Sequence, residues 1–188
     1  MSYFLFKRTC DILFSIFVLF VLSPALLLIS LIIVFQDGGS FLFKQKRIGR
    51  NSESFIFYKF RSMPVNTLNV ISANKNEVKV TFFGKLLRRT NLDELPQFYN
   101  VLIGDMSVIG PRPPIPSQTN LIHLRKVNKS IQLRPGLTGW AQVNSYDNMP
   151  EEKKAYFDGE YYKKMNLKLD IYIFFKTFIY FMKPPPTY

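Results

Sequence analysis

Cysteine, histidine and tryptophan are almost missing from the 188 residues: Cys10, His123 and Trp140 each stand alone. A single cysteine excludes an intrachain disulfide framework. A single histidine excludes the all-Cys/His ligand sets of structural zinc sites. It also leaves any Ser-His-Asp hydrolase resting on His123, which reads as a packed or surface residue. Acidic residues are scarce too: 13 Asp and Glu face 25 Lys and Arg, for a formal net charge of +12. Residues 1–35 hold only Lys7, Arg8 and Asp11, so +11 falls on the rest. That excess suits anionic lipid headgroups, nucleic acid or a phosphorylated substrate, besides a plain solvated surface. Apolar residues reach 47% and aromatic residues 16%, enough for a core, which argues against intrinsic disorder. The length suits one globular domain.

Charge is absent from Ile12 to Gln36, a run made mostly of Leu, Ile, Val and Phe. A straight helix of that length, roughly 37 Å, would cross a bilayer. The run is too long for a signal peptide, and no small-x-small cleavage site follows it. Ser23-Pro24 interrupts its middle, where proline removes a backbone hydrogen bond and kinks or breaks a helix. Two topologies follow: a kinked span, or a broken helix that leaves on the side it entered. Basic residues flank both ends, Lys7 and Arg8 before, Lys44, Lys46, Arg47 and Arg50 after. Basic flanks prefer the cytoplasm, but the composition leaves both topologies open.

Beyond the turn cluster Gln36 to Ser40, Phe41–Phe43 and Phe55–Phe60 read as short strands around a turn at Gly49 to Ser52. Met63 to Lys79 is polar and reads as a surface loop. Phe82–Arg89, Leu95–Ile103, Gln118–Lys129 and Glu151–Lys164 read as helices, and Trp140–Val143 as a strand. Tyr172, Lys176, Tyr180 and Lys183 share one stripe of a last, Phe-rich helix. Such a helix suits the headgroup layer, with snorkelling lysines and interfacial tyrosines. Pro184, Pro185 and Pro186 end it.

Three constellations carry the chemistry. In Arg88-Arg89-Thr90-Asn91-Leu92-Asp93-Glu94-Leu95-Pro96, proline is tolerated only in a first helical turn. That predicts Asp93 as a helix N-cap and Glu94 as the first helical residue, beside two arginines. The plain alternative is a cap with a surface ion pair. In Gly110-Pro111-Arg112-Pro113 the prolines fix the backbone around one guanidinium, a pose suited to phosphate. Arg134-Pro135-Gly136-Leu137-Thr138-Gly139-Trp140, running on to Asn144, suggests a shaped loop without specifying a reaction.

The chain resembles the small monotopic phosphoglycosyl transferases of bacterial glycoconjugate assembly. The resemblance rests on four blocks in order: the apolar helix with Ser23-Pro24, YKFRSM from Tyr58, LLRRTNLDELPQFYNVLIGDMSVIGPRP from Leu86, and LRPGLTGWAQVN from Leu133. It covers nearly the whole chain and is most specific in the last two blocks. It implies transfer of a phospho-sugar from a UDP-sugar to undecaprenyl phosphate, with UMP released, Mg²⁺ as cofactor and a covalent intermediate. It implies Asp93 as nucleophile and Glu94 as its partner and metal ligand. Lys59, Arg88 and Arg112 are candidates to neutralise phosphate, with Asp170, Arg134 and Gln142 as possible support. The family's Ser-Pro break favours re-entry over a span. The expected fold is therefore α+β. Residues 1–36 form a re-entrant broken membrane helix. Residues 37–188 form a compact, mostly helical catalytic domain with a small β-hairpin or sheet and interfacial amphipathic helices. The expected location is the cytoplasmic face of the bacterial inner membrane, in contact with membrane lipids. The competing reading is a membrane-tethered protein that binds an anionic ligand or nucleic acid without catalysis. No recognised nucleic-acid motif is present, and Asp93-Glu94 would repel phosphates unless a metal intervened.

Overall fold

A computed structural model describes residues 3–64, 80–144 and 149–181. The expected loop between 65 and 79 and the proline-rich tail lie outside the described residues.

The N-terminal apolar run forms two helices, α1 (Tyr3–Val21) and α2 (Ser23–Asp37), bent by 62° at the break. The bend falls where the sequence places it. Pro24 sits in the first turn of α2, where its missing N–H costs nothing, and the Ser23 hydroxyl donates to the Phe20 carbonyl at 2.7 Å. Among the described residues no single helix is long and apolar enough to cross a membrane; the bent pair meets that test only together.

Strands β1 (Leu42–Ile48) and β2 (Ser54–Phe60) form an antiparallel hairpin with Leu42 opposite Phe60 and Ile48 opposite Ser54. The first strand runs five residues beyond the expected Phe43, because Lys44 to Arg47 pair in register with the aromatic strand. Both faces of β2 are covered. Phe57 enters the main core with Val101, Met106, Val108, Ile109, Val143, Tyr161 and Ile173. Phe60, on the opposite face, packs with Ile29 and Ile33 of α2 and with Leu87. A strand covered on both faces needs no strict polar alternation, which explains why aromatic residues fall on both of them.

After β2 come α3 (Phe82–Arg89), α4 (Gln97–Ile103), β3 (Ser107–Ile109), α5 (Thr119–Val127), β4 (Gly136–Thr138), α6 (Trp140–Val143), α7 (Glu151–Lys164) and α8 (Leu167–Phe181). β3 and β4 pair in parallel, Ser107 with Gly136 and Ile109 with Thr138. This pairing lays the second and third sequence motifs backbone against backbone. A β-carbon at Gly136 would stand 2.1 Å from the Gly110 nitrogen, so only glycine fits there. α8 reaches the core through Ile173, and its Thr177 hydroxyl meets that of Thr138 at 2.8 Å.

Two expectations need correction. Trp140–Val143 is a helical turn, not a strand: Gly139 is extended, and only four residues separate it from Asn144. Of the expected polar stripe of α8, Tyr172 is exposed, but Lys176 does not face outward as expected. Lys176 lies over the rings of Trp140 and Tyr172, at 5.5 and 5.4 Å, and donates to Asn144 at 2.8 Å. Beside Tyr172, the exposed residues of α8 are the apolar Leu167, Ile171, Phe175, Phe178 and Ile179. The Tyr180 side chain and Lys183 lie outside the described residues.

Candidate active site

Asp93 and Glu94 occupy a single 3-10 turn, Leu92–Glu94, between α3 and α4. The turn is entered through Asn91 in the left-handed conformation, φ 55°, which a short polar side chain tolerates best. Leu92 and Leu95 pack into the Ile29–Phe60–Leu87 cluster, which leaves the two carboxylates between them to turn elsewhere. Here too the structure departs from expectation. Pro96 is itself the cap of α4, so Asp93 is not its N-cap and Glu94 belongs to the preceding 3-10 turn rather than opening the α-helix. The physical reason is Asn91, whose positive φ ends the chain's approach one turn early.

β2 brings Lys59 to this turn. Asn100 of α4 grips the free edge of β2, accepting from the Tyr58 N–H at 3.1 Å and donating to the Ile56 carbonyl at 2.7 Å. That grip fixes Lys59 beside the carboxylates, with its ammonium over the Phe43 ring at 5.4 Å. Arg88 projects from the last turn of α3, and its Nε donates to the Ser62 hydroxyl at 2.8 Å. α3 sits this close because Gly84 lies on the Ser62 carbonyl, where a β-carbon would come within 2.0 Å. Arg112 donates to Glu94 Oε1 at 2.6 Å. All five principal expectations thus meet: Arg112 hydrogen-bonds Glu94, and Lys59, Arg88 and Arg112 act on Asp93 through their charge.

The electrostatics separate the two carboxylates. Burial and the neighbouring Glu94 push Asp93 up to about 6, against the pull of Lys59, Arg88 and Arg112. Burial works most strongly to raise Glu94, but the Arg112 charge and hydrogen bond, joined by Lys59 and Gln97, together hold Glu94 below its ordinary value. Burial lowers Lys59, and Asp93 draws it partly back. The result is one ionised, clamped carboxylate and one buried carboxylate poised near neutrality, the separation expected where two acids have different tasks.

Sequence reasoning missed the support for Arg112. Its backbone carbonyl accepts from Arg125 Nη1 at 2.9 Å, and Arg125 is held by Asp158 Oδ2 at 2.8 and 2.6 Å. Both partners are buried. Arg125 falls one helical turn after the buried Leu121, and Asp158 falls between the buried Ala155 and Tyr161. A charge on an otherwise inward face was the available signal. Arg47 was missed as well: it donates to the Pro113 carbonyl at 3.0 Å, lies over the Phe57 ring at 5.2 Å, and is lowered to about 10 by burial and by Arg112.

The remaining expected residues lie outside this cluster. Asp170 accepts from Tyr3 at 2.8 Å, Lys7 at 2.8 Å and Tyr161 at 2.6 Å, tying α8 to the start of α1. Arg134 donates to the Gly104 carbonyl at the far end of α4, at 2.9 Å. Gln142 donates to the Leu137 carbonyl at 2.9 Å. Ser23 and Pro24 form the bend.

Residues 2–184 match the family model of the bacterial sugar transferases. The chain belongs to that family. It is 38% identical over 188 aligned positions to the undecaprenyl-phosphate galactose phosphotransferase of Salmonella typhimurium, covering 91% of this chain and 39% of that protein. It is 40% identical over 184 positions to the UDP-glucose:undecaprenyl-phosphate glucose-1-phosphate transferase of Escherichia coli, covering 92% of this chain and 39% of that one. The exopolysaccharide production protein ExoY of Rhizobium meliloti is 35% identical over 188 positions, covering 91% of this chain and 83% of the relative. The chain therefore spans about two fifths of the first two relatives and about four fifths of the third.

The chemistry of the donor set bears on a metal. No group of three or more His, Cys, Asp or Glu that could hold an ion exists among the described residues. Asp93 and Glu94 alone fit Mg²⁺, which takes one or two protein carboxylates and completes its shell with substrate oxygens and water.

Proposed function

We propose that this sugar transferase moves a phospho-sugar from a UDP-sugar to undecaprenyl phosphate, releasing UMP. The observation that carries the reading is the buried Asp93 carboxylate, poised near neutrality beside Lys59, Arg88, Arg112 and the clamped Glu94. The two relatives named for undecaprenyl-phosphate transfer support it.

In the first half-reaction an Asp93 oxygen attacks the β-phosphorus of the donor. The bond from that phosphorus to the bridging oxygen breaks, and UMP leaves with the electron pair. Asp93 then carries the phospho-sugar as an acyl phosphate, a form open to carboxylate nucleophiles. In the second half-reaction an oxygen of the lipid phosphate attacks the same phosphorus, the bond to Asp93 breaks, and the free carboxylate returns. The product is the polyprenol diphosphate sugar. Anion must meet anion in both steps. Lys59, Arg88 and Arg112 offset that repulsion and stabilise the spread of charge as the bonds exchange. Glu94, with Asp93 beside it, would hold Mg²⁺, which when bound supplies further charge neutralisation on the phosphates.

The bent helix pair fits the same reading as a re-entrant anchor on the cytoplasmic face of the inner membrane, where a soluble donor meets a lipid acceptor. Both its ends are tied to one body. Lys7 binds Asp170, and Arg8 donates to the Val101 and Leu102 carbonyls. At the other end Arg61 binds Asp37 and the Gly38 carbonyl.

The test is nucleotide release from purified protein in nanodiscs with Mg²⁺, undecaprenyl phosphate and a panel of UDP-sugars. The expected result is UMP formed only when the lipid and one particular donor are present together. Release of UDP would overturn the reading, because it means ordinary glycosyl transfer.

A further inference from the structure

Lys7 and Arg8 are the last basic residues before the uncharged run, and a cavity opens beside them. Its volume is about 170 Å³, and Lys7, Arg8, Arg50 and Arg134 line it together with Asp11 and Ser107. Four cations from three distant stretches of chain thus converge at the far end of α4 from Asp93 and Glu94.

The acidic groups within reach are committed. Asp170 takes Lys7, Tyr3 and Tyr161, and Asp11 accepts the Val108 N–H at 3.0 Å. Arg8 spends both terminal nitrogens on the Val101 and Leu102 carbonyls, at 2.6 and 3.0 Å. Arg50 and Arg134 differ. Each uses only Nε, Arg50 on the Gln132 carbonyl at 3.1 Å and Arg134 on the Gly104 carbonyl at 2.9 Å. Their terminal nitrogens have no hydrogen bond or ion pair among the described residues. Burial, then the charges of Arg8 and Arg50, hold Arg134 below the usual arginine range. Asp11 offsets this only in part, and positive charge drawn partly out of water beside other cations is costly, a cost that a bound anion lowers.

We propose that this cavity is a second anion site, one that takes the phosphate of a phosphate ester through the paired guanidinium forks of Arg50 and Arg134. Two forks offer parallel N–H donors to a tetrahedral oxyanion, a match that lysines alone do not give. The site's place at the base of α1 makes an acidic phospholipid headgroup one source of that phosphate, and dissolved phosphate the other.

The test is the thermal midpoint of the full chain in neutral detergent. One arm titrates inorganic phosphate against chloride at matched ionic strength. The other titrates a short-chain phosphatidylglycerol against the corresponding phosphatidylcholine. We expect a saturable rise in midpoint with phosphate or phosphatidylglycerol, retained in Arg112→Gln. In Arg50→Gln the apparent affinity should fall at least about tenfold, the loss of one charge-assisted hydrogen bond. Saturation by phosphatidylglycerol at the lower concentration assigns the site to lipid; saturation by phosphate alone assigns it to a dissolved ester. Arg134→Gln should behave alike, but it also frees the end of α4, so the exposed Arg50 is the deciding position. No rise with either ligand, a rise that survives Arg50→Gln, or one lost in Arg112→Gln instead would each overturn the proposal. No turnover is measured, so failure here is separate from failure of the transferase reading.

Discussion

Asp93 keeps its proton to about pH 6 because burial and Glu94 outweigh the three cations around it. A carboxylate attacks only when ionised, so kcat/KM with saturating acceptor should fall toward acid with a midpoint near that value. Lys59 opposes the rise in Asp93, so Lys59→Met should shift the midpoint upward while also lowering the plateau; a midpoint that moves down would contradict the assignment. The same shift sets a stability cost. The folded state binds the Asp93 proton more tightly than the unfolded chain does. Stability is therefore fullest below the unfolded value of 3.8, falls as pH rises through the folded value of about 6, and stays lowered above it. Asp93→Asn removes that cost. It should abolish turnover yet stabilise the protein at neutral pH by about 1–3 kcal/mol, a gain that disappears near pH 4. Equal or lower stability at neutral pH would mean the carboxylate is not strained by its surroundings.

Among the elements, α5 and α7 bear on the carboxylates through Arg112, which Arg125 and Asp158 fix. Breaking a buried pair from one side strands a charge, at a cost of about 3–5 kcal/mol, whereas replacing both partners with apolar residues is often neutral. Asp158→Leu alone should therefore unfold readily. Arg125→Met with Asp158→Leu should melt near the parent temperature while kcat/KM falls roughly 10–100-fold, because the Arg112 carbonyl loses its donor. Parent-like activity in the folded double variant would reduce the pair to a structural role. This clamp was not read from the sequence. Helices such as Phe82–Arg89 and Glu151–Lys164 match their expected bounds, since local pattern and Thr81 capping Gly84 at 2.9 Å suffice to define them. The carboxylate pair and its cations were legible through resemblance. The parallel pairing of β3 with β4, the Arg125–Asp158 link and the Asn100 grip on β2 join residues 29, 33 and 44 apart, and no local pattern encodes such contacts. The 3-10 turn at Asp93 escaped because Asn91, in the left-handed conformation, opens a separate turn ahead of the helix that Pro96 caps.

For the molecule as a whole, the question is on which side of a bilayer the two ends of the bent pair emerge. A span would carry Lys7 and Asp37 to opposite faces, roughly 30 Å apart. The contacts that bind Lys7 to Asp170 and Arg61 to Asp37 hold both ends on a single body, and a span would have to break one set. Breaking the first would take Tyr3 and Lys7 from Asp170 together, leaving it the Tyr161 hydroxyl, and would strip the Arg8 donors from the end of α4. Re-entry keeps both sets and places only the bend, with the exposed Phe17, Phe20, Leu27 and Leu28, in hydrocarbon. Labelling with a membrane-impermeant maleimide decides between them. In a Cys10→Ser background, Leu5→Cys reports the start of α1 and Ser117→Cys the catalytic body. Re-entry predicts that both react in inside-out vesicles and neither reacts in right-side-out vesicles. Reaction of Leu5→Cys from the opposite side to Ser117→Cys would establish a span. It would also take the cations of the second anion site away from Arg50 and Arg134, so the two proposals meet at Lys7 and Arg8.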